Sequence, residues 1–225
     1  MIDLSPASIL STSFDVTWEL EDETADNHLW ASPLGRFVAA LRDTSPDQRA
    51  MHLLAFFAAR RALSCWQLYC DGRIPLDGVQ LAELILAGDA DPAVLRPFLV
   101  PAIPTFRGSK IVDCRECDTS CAAASVAHMA RLFVDRNPRD LAICLSSADM
   151  AFDQSPLVGR DNFRRWLIEV ASPAATARRP LTGEEATRFR DYTTAELVRE
   201  REREQQHEHR FEQSQAPQKR WYQFW

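Results

Sequence analysis

Three cysteines and one histidine lie close together in the middle of the sequence and could do chemistry as a group. Cys114, Cys117 and Cys121 are followed by His128. Thiolate sulfur and imidazole nitrogen are the usual ligands of zinc, so these four side chains could hold one tetrahedral zinc ion. A redox or reactive thiol is a second interpretation, and simple packing of cysteine as a small apolar residue is a third.

The spacing of this Cys/His cluster tests the zinc interpretation. The four residues form one stripe along a continuous helix, on which Cys114 and His128 would lie ~21 Å apart and could not share an ion. A zinc site therefore requires residues 113–120 to form a loop that folds back onto the following helix. We favour packing cysteines and keep zinc as the alternative.

Histidine could also act as the base for a cysteine nucleophile. His52 lies in an apolar segment and is expected in the core, whereas His128 is predicted on a polar helix face, ~10 Å in rise from Cys121. His207 and His209 fall in a charged tail. The sequence contains no Gly-x-Ser-x-Gly, no phosphate-binding glycine loop and no His-Glu-x-x-His, so a catalytic role is not the favoured one.

The elements that must position these residues are predicted to be helices. The chain has 7 glycines in 225 residues, too few for the hairpin turns of an all-β protein. Instead, Pro33, Pro46, Pro92 and Pro138 each follow Ser, Asp or Asn, which is typical of a helix start. We predict helices over 33–42 and 46–69, from Pro75 to Gly88, through 126–133, from Pro138 and over 161–170, with a short helix and a rigid apolar connector over 92–106.

Apolar periodicity predicts which faces are buried. The helix over 46–69 is apolar nearly all round between Ala50 and Ala59, so we expect it to be central. In the helix from Pro75, a polar stripe through Asp77 is expected to lie opposite a buried face that includes Leu84. In the helix around 126–133, the predicted core face is Val126, Met129, Ala130 and Phe133, with Ser125, His128 and Arg131 turned away.

We therefore predict an all-α fold, an irregular multi-helix bundle with a polar helical tail at its C-terminus. The expected organisation is an acidic, partly ordered arm over 1–30, a helical domain over 31–171 and a polar tail over 172–225. Capping boxes at Thr182–Glu185 and Thr193–Glu196 predict that two helices begin in the tail.

The chain ends in four aromatic residues, Trp221, Tyr222, Phe224 and Trp225. Aromatic side chains bury much area with few rotamers to freeze, so they are strong interface anchors. Two interpretations carry equal weight. The aromatic residues dock onto the chain's own helices, or they insert into a groove of a partner protein.

Charge and hydropathy narrow the class of protein. The net charge of −6 disfavours general nucleic-acid binding, which needs a surplus of Lys and Arg. The first 100 residues hold 14 acids and 7 bases, which favours a basic partner, although solvated surface is the commoner reason for such a surplus. There is no run of ~20 apolar residues and no basic leader, so we expect a cytoplasmic protein with reduced cysteines and no membrane span.

One stretch, residues 49–88, resembles a known group of proteins. An apolar helix runs from Leu53 to two arginines, Arg60 and Arg61, and an Asp-x-Arg-x-Pro turn leads from Asp71 into a second helix that ends at Gly88. This pattern is similar to uncharacterised bacterial helical proteins that include proposed immunity proteins of toxin systems. The chain departs from them after Gly88, where a proline connector and the Cys/His cluster replace alanine-rich helical repeats.

The resemblance implies a helical, non-enzymatic protein that works by binding another protein. We accordingly expect a non-catalytic protein-binding module, an immunity or adaptor protein acting through its acidic N-terminal half and aromatic tail. The alternative is a small zinc-binding or cysteine-dependent protein built on residues 114–128. Metal analysis distinguishes the two, because a structural zinc would be lost on substitution of Cys117.

Overall fold

The computed structural model describes residues 33–44, 47–70, 72–104, 113–152 and 159–189. These ranges are helical with short connections and contain no β-strand, so the all-α prediction is confirmed. The chain divides into two compact units, Met1–Asp191 and Tyr192–Trp225, and every described residue belongs to the first. The predicted arm over 1–30, the second capping box and the terminal aromatic residues lie outside the described residues.

The described ranges contain eight α-helices, one 3₁₀ helix and one π turn. They are α1 Pro33–Thr44, α2 Arg49–Tyr69, α3 Ile74–Ala87, a 3₁₀ helix Pro92–Phe98, α4 Asp113–Asp135, α5 Pro138–Met150, α6 Arg160–Trp166, a π turn Leu167–Ala171, α7 Ser172–Thr176 and α8 Gly183–Thr187.

Helix α2 is the centre of the bundle, as predicted. It contacts α1, α3, α4, α5 and α7. The stretch from Leu53 to Ala59 is buried without interruption because partners lie on several of its sides. The helix begins at Arg49, not at residue 46 as the sequence suggested, because Gln48 takes a left-handed conformation with φ 58° and Asp47 Oδ1 accepts a hydrogen bond from Arg49 N.

Helices α4 and α5 form an antiparallel pair that packs across α2. Arg136 turns the chain with φ 58°, and the Asn137 side chain caps α5 at the predicted position. The predicted core face of α4 is buried, but the prediction that Ser125 points away is wrong. Its hydroxyl donates to the Cys144 carbonyl at 3.0 Å, and this pairing lets a polar residue lie inside the helix interface.

Residues 160–176 form one helical rod with a π turn in the middle. Pro173 has no N–H to donate, and its ring crowds the carbonyl one turn earlier. The rod accommodates the proline by widening over Leu167–Ala171, where Ser172 N donates to the Leu167 carbonyl. Ser172, Ala174 and Ala175 are then buried, so this first part of the polar stretch packs against α2.

Helix α8 is held onto the rod although it is only five residues long. Its predicted capping box is confirmed: Thr182 Oγ1 accepts from Glu185 N, and Glu185 Oε2 accepts from Thr182 N. Arg179 donates two hydrogen bonds to the Glu185 carboxylate, which lowers the pKa of Glu185 to about 2. The indole Nε1 of Trp166 donates to the Glu185 carbonyl at 2.8 Å.

Candidate functional site

The Cys/His cluster lies along α4. This helix is continuous from Asp113 to Asp135, so the backbone over 113–120 does not form the loop that a single zinc site requires. Cys121 and His128 are seven residues apart on it, ~10 Å in rise. The side chains of Cys114 and Cys117 are outside the described residues. No three His, Cys, Asp or Glu side chains gather into a metal-binding group in the described part, and zinc stays a prediction.

His128 is engaged with a partner that the sequence did not reveal. Its Nδ1 lies 2.8 Å from Asp140 Oδ1, in the first turn of α5, and both side chains are mostly buried. Because a carboxylate only accepts hydrogen bonds, Nδ1 carries the proton in this pair. The bond joins α4 to α5 and fixes the orientation of the imidazole ring, so His128 contributes to the packing of these two helices.

Two further cysteines are packing residues. The Cys144 thiol is fully buried beside Ser125 and Ala55, and burial raises its pKa to about 12. Cys65 Sγ donates to the Ala151 carbonyl at 3.0 Å. Thiolate is the reactive form of cysteine, so Cys144 is inert near neutral pH. The packing interpretation of Cys114, Cys117 and Cys121 stays a prediction.

His52 is mostly buried, in line with its prediction as a core histidine. Its ring stacks on Phe133 with 4.5 Å between ring centroids. Burial lowers the pKa of His52 to about 4, because the charged form would lose its hydration. The ring is therefore neutral at pH 7 and contributes to the interface between α2 and α4.

Buried charge is concentrated at the junction of α5 and α6, in a group that we call the Asp149 cluster: Asp149, Arg160 and Arg164. Asp149 has no exposed surface. Arg164 binds both of its oxygens, at 2.8 and 2.7 Å, and Arg160 Nε binds one at 2.6 Å. Two cations share one carboxylate here, so the cluster joins α5 to α6.

Exposed apolar surface is concentrated elsewhere. Among the described residues, every large apolar side chain that is strongly exposed lies between residues 74 and 103. We call the surface they form the α3–connector surface. Its exposed members are Ile74 (58%), Leu84 (45%), Val94 (40%), Val100 (73%) and Ile103 (88%).

The exposure of Leu84 corrects a sequence prediction. The periodicity placed this residue on the buried face of α3, but nearly half of its surface meets solvent. Helix α3 has apolar residues on more than one side, and its neighbours α2, α4 and the 3₁₀ helix cover only one of them. A second stripe, Ile74, Leu81 and Ile85, recurs at helical spacing and is only partly covered.

A shallow groove lies at one end of the α3–connector surface. Ile74, Phe98 and Val100 line its sides, and the buried residues Ala123, Val126 and Ala127 of α4 lie against it. Gly78 permits the close packing beneath it. A Cβ at this position would lie 3.1 Å from Phe98 Cδ1 and 3.2 Å from Val126 Cγ1.

The connector that supports the groove is held in place by specific contacts. The Asp91 side chain caps the 3₁₀ helix by accepting from Ala93 N at 2.7 Å. Arg131 Nε donates to the Leu99 carbonyl at 2.8 Å and fastens the connector to α4. Prolines at 97, 101 and 104 restrict the backbone further. These contacts hold the connector as far as Leu99, and Val100 and Ile103 follow with most of their surface exposed.

Comparison with known proteins adds no relative. No family model matches the chain, and neither a curated protein nor a solved structure does. None of the described helices combines the length and the apolar character needed to span a membrane. The predicted site residues Trp221, Tyr222, Phe224 and Trp225 lie outside the described residues, so the α3–connector surface is the candidate site that geometry defines.

Proposed function

We propose that this chain is a non-catalytic protein-binding module, an immunity or adaptor protein, and that it binds its partner through the α3–connector surface. The observation that carries the proposal is the confinement of strongly exposed large apolar side chains to residues 74–103. Single exposed apolar residues are ordinary. Here, however, all five belong to α3 and to the 3₁₀ helix and connector that follow it, and exposed apolar patches mark interaction sites.

The rigidity of the surface supports the same proposal. Association costs less when interface side chains and loops are already ordered. The cap at Asp91 and the bond from Arg131 to the Leu99 carbonyl order the connector up to the residue before Val100, and the three prolines restrict its backbone. A simple connection between two helices requires neither an ordered backbone nor exposed apolar side chains.

The acidic N-terminal half and the aromatic tail remain part of the proposal. The α3–connector surface falls almost wholly within the acidic first 100 residues. Trp221, Tyr222, Phe224 and Trp225 are proposed as a second contact with the same or another partner. Residues 49–88, which carry the resemblance to immunity proteins, include all of α3.

Site-specific photocrosslinking tests the proposal. A benzophenone amino acid is placed at Val100 or Ile103 in the full chain expressed in its native host, and control positions are Asp161 and Glu184, which are exposed elsewhere. We expect one protein to be crosslinked at high yield from 100 and 103 and not from the controls. Equal or absent crosslinking at all four positions would remove the proposed function.

A further inference from the structure

We infer that residues 177–189 form a releasable strap, which closes over Trp166 and Arg61 and opens as a unit while the helical bundle stays folded. The strap shares no residue with the α3–connector surface, so the proposed function does not depend on it. Three features point to this behaviour: the exposure of the strap, the kind of contact that holds it, and the backbone conformation near its two ends.

The strap lies on the bundle without entering it. None of its residues is buried, and α8, the helix inside it, packs along no other helix of the described ranges. The side chains beneath it are almost inaccessible, since Trp166 is 1% exposed and Arg61 is 5% exposed. Burial of apolar surface is the main favourable contribution to folding, so the strap adds little to the stability of the core that it covers.

Two side chains of the bundle hold the strap by its backbone. Trp166 Nε1 donates to the Glu185 carbonyl at 2.8 Å, and Arg61 Nη1 donates to the Arg188 carbonyl at 3.2 Å. Water can bind these carbonyls once the strap lifts, so the net free energy lost with each bond is much smaller than its strength in isolation.

Charged side chains hold the strap at its first turn. Arg179 donates to both oxygens of Glu185 at 2.7 Å, and Arg178 is paired with Asp47 at 3.3 Å. All four side chains are partly exposed, so dissolved ions screen both pairs. The pKa of Glu185 is lowered to about 2 by its bonds with Arg179, so the carboxylate keeps its charge in mild acid. Salt, and not mild acid, should therefore loosen the strap.

The backbone near both ends of the strap favours opening. Arg178 and Phe189 are left-handed, with φ 56° and 60°. This conformation is unfavourable for residues that carry a Cβ, so the closed strap holds strain that opening relieves. Arg165 lies over the Phe189 ring at 4.5 Å and opposes that release.

Opening would have two consequences for the molecule. Trp166 Nε1 and Arg61 Nη1 would lose the carbonyls of the strap and become accessible to carbonyl groups of another chain. The strap also leads to Tyr192, where the second compact unit begins, so its residues would be added to the connection between the two units. Weakly packed segments of native proteins open in this way at a lower free energy than global unfolding.

Hydrogen exchange of the full chain, followed by mass spectrometry, tests the inference. The amides of Ala186 and Arg188 donate within the strap and report on it, and those of α2 report on the bundle. We expect the strap amides to be protected, but at least about tenfold less than those of α2, and to exchange at a rate that low concentrations of urea do not change. Added salt should speed exchange in the strap and not in α2.

Two matched variants test the contacts that close the strap. Glu185→Gln removes the charge that Arg179 binds, but glutamine can still form the capping box. Glu184→Gln makes the same change at the preceding, exposed residue of α8. We expect Glu185→Gln to speed strap exchange about two- to fivefold and to reduce its dependence on salt, whereas Glu184→Gln changes neither. Exchange in α2 should be the same in both variants.

Three results would overturn the inference. If the strap amides exchange only together with those of α2 as urea is added, the strap is a fixed part of the bundle. If they are unprotected in the wild type, the strap is not closed. If Glu185→Gln has no effect, or no more effect than Glu184→Gln, the charged contacts do not hold it.

Discussion

The Asp149 cluster buries charge, whereas the α3–connector surface exposes apolar side chains. In the first region every charged group meets a partner from the same chain: the fully buried Asp149 carboxylate is shared by Arg160 and Arg164. In the second, Val100 and Ile103 extend into solvent at 73% and 88% exposure. Folding accounts for the first region, whereas it leaves most of the surface of Val100 and Ile103 in solvent, and this is the surface that the proposed partner would bury.

The comparison shows why conspicuous polar groups are poor guides to function in this protein. Arg61 lies over the Trp166 ring at 4.3 Å and donates to the Arg188 carbonyl, and His128 is bonded to Asp140. Each of these groups could suggest catalysis or ligand binding from its residue type alone. Each joins helices of the bundle, and such internal pairing is the usual requirement for burying charge.

Loss of the buried carboxylate should have the largest effect. Asp149→Ala leaves Arg160 and Arg164 without their shared partner inside the protein, and we expect the free energy of unfolding to fall by about 3 to 5 kcal/mol. Urea denaturation of the full chain measures it. Asp161→Ala, an exposed acid on the same helix as the arginines, is the control and should change stability little. A loss below about 1 kcal/mol at Asp149 would mean that the cluster is not the anchor described here.

Acid should weaken the core at His52. Its pKa falls from 6.5 to about 4 on folding, so between these values the unfolded chain binds the proton and the folded chain does not. The contribution of His52 to the free energy of unfolding is therefore fully present above pH 6.5. It is lost as the pH falls toward 4, and the total loss is about 3 kcal/mol. Urea denaturation across this range should show a smaller slope for His52→Phe, which keeps a ring against Phe133. Parallel pH profiles would contradict the assignment.

Local signals were enough to predict much of the fold. Asn137 before Pro138, Gly88 after α3 and Thr182 before Glu185 each end or begin a helix through contacts within a few residues, so neighbouring residue types reveal them. The central position of α2 followed from its apolar perimeter. Helix starts that depend on left-handed residues, as at Gln48, were missed because nothing in the side chain requires that conformation.

The candidate site could not be predicted in the same way. The pairing of Asp149 with Arg164 depends on how α5 and α6 cross, and sequence spacing contains no such information. Leu84 was assigned to the core because periodicity identifies apolar sides of a helix but not how many neighbours are available to cover them. The sequence signal that could have identified the surface is that apolar residues occupy more than one face of α3. They continue into the connector at Val100 and Ile103, which the structure shows to be exposed.

Substitution of Gly78 tests the packing beneath the α3–connector surface. Gly78→Leu places a large side chain where a Cβ is already 3.1 Å from Phe98, and overpacking of this kind costs about 2 kcal/mol. It should also displace Phe98 and weaken binding at the groove. Gly78→Ala is the matched control, because the gain in helix propensity of about 1 kcal/mol offsets a shift of a few tenths of an ångström. Thermal unfolding and crosslinking from position 100 measure the two effects, and a Leu variant that is as stable as the wild type would show that the groove floor is loosely packed.

The smallest effect on stability should come from the most exposed apolar residue. Ile103 is 88% exposed, so Ile103→Ser removes almost no buried surface, and the free energy of unfolding should change by no more than about 0.5 kcal/mol. The same substitution removes apolar area from the α3–connector surface, so capture of the partner through position 100 should fall. Asp149→Ala is the converse case, with a large loss of stability and no direct change at the surface. If Ile103→Ser unfolds the chain, the Ile103 side chain contributes to folding. If partner capture is unchanged, this side chain takes no part in binding. Either outcome would contradict the distinction between the two regions.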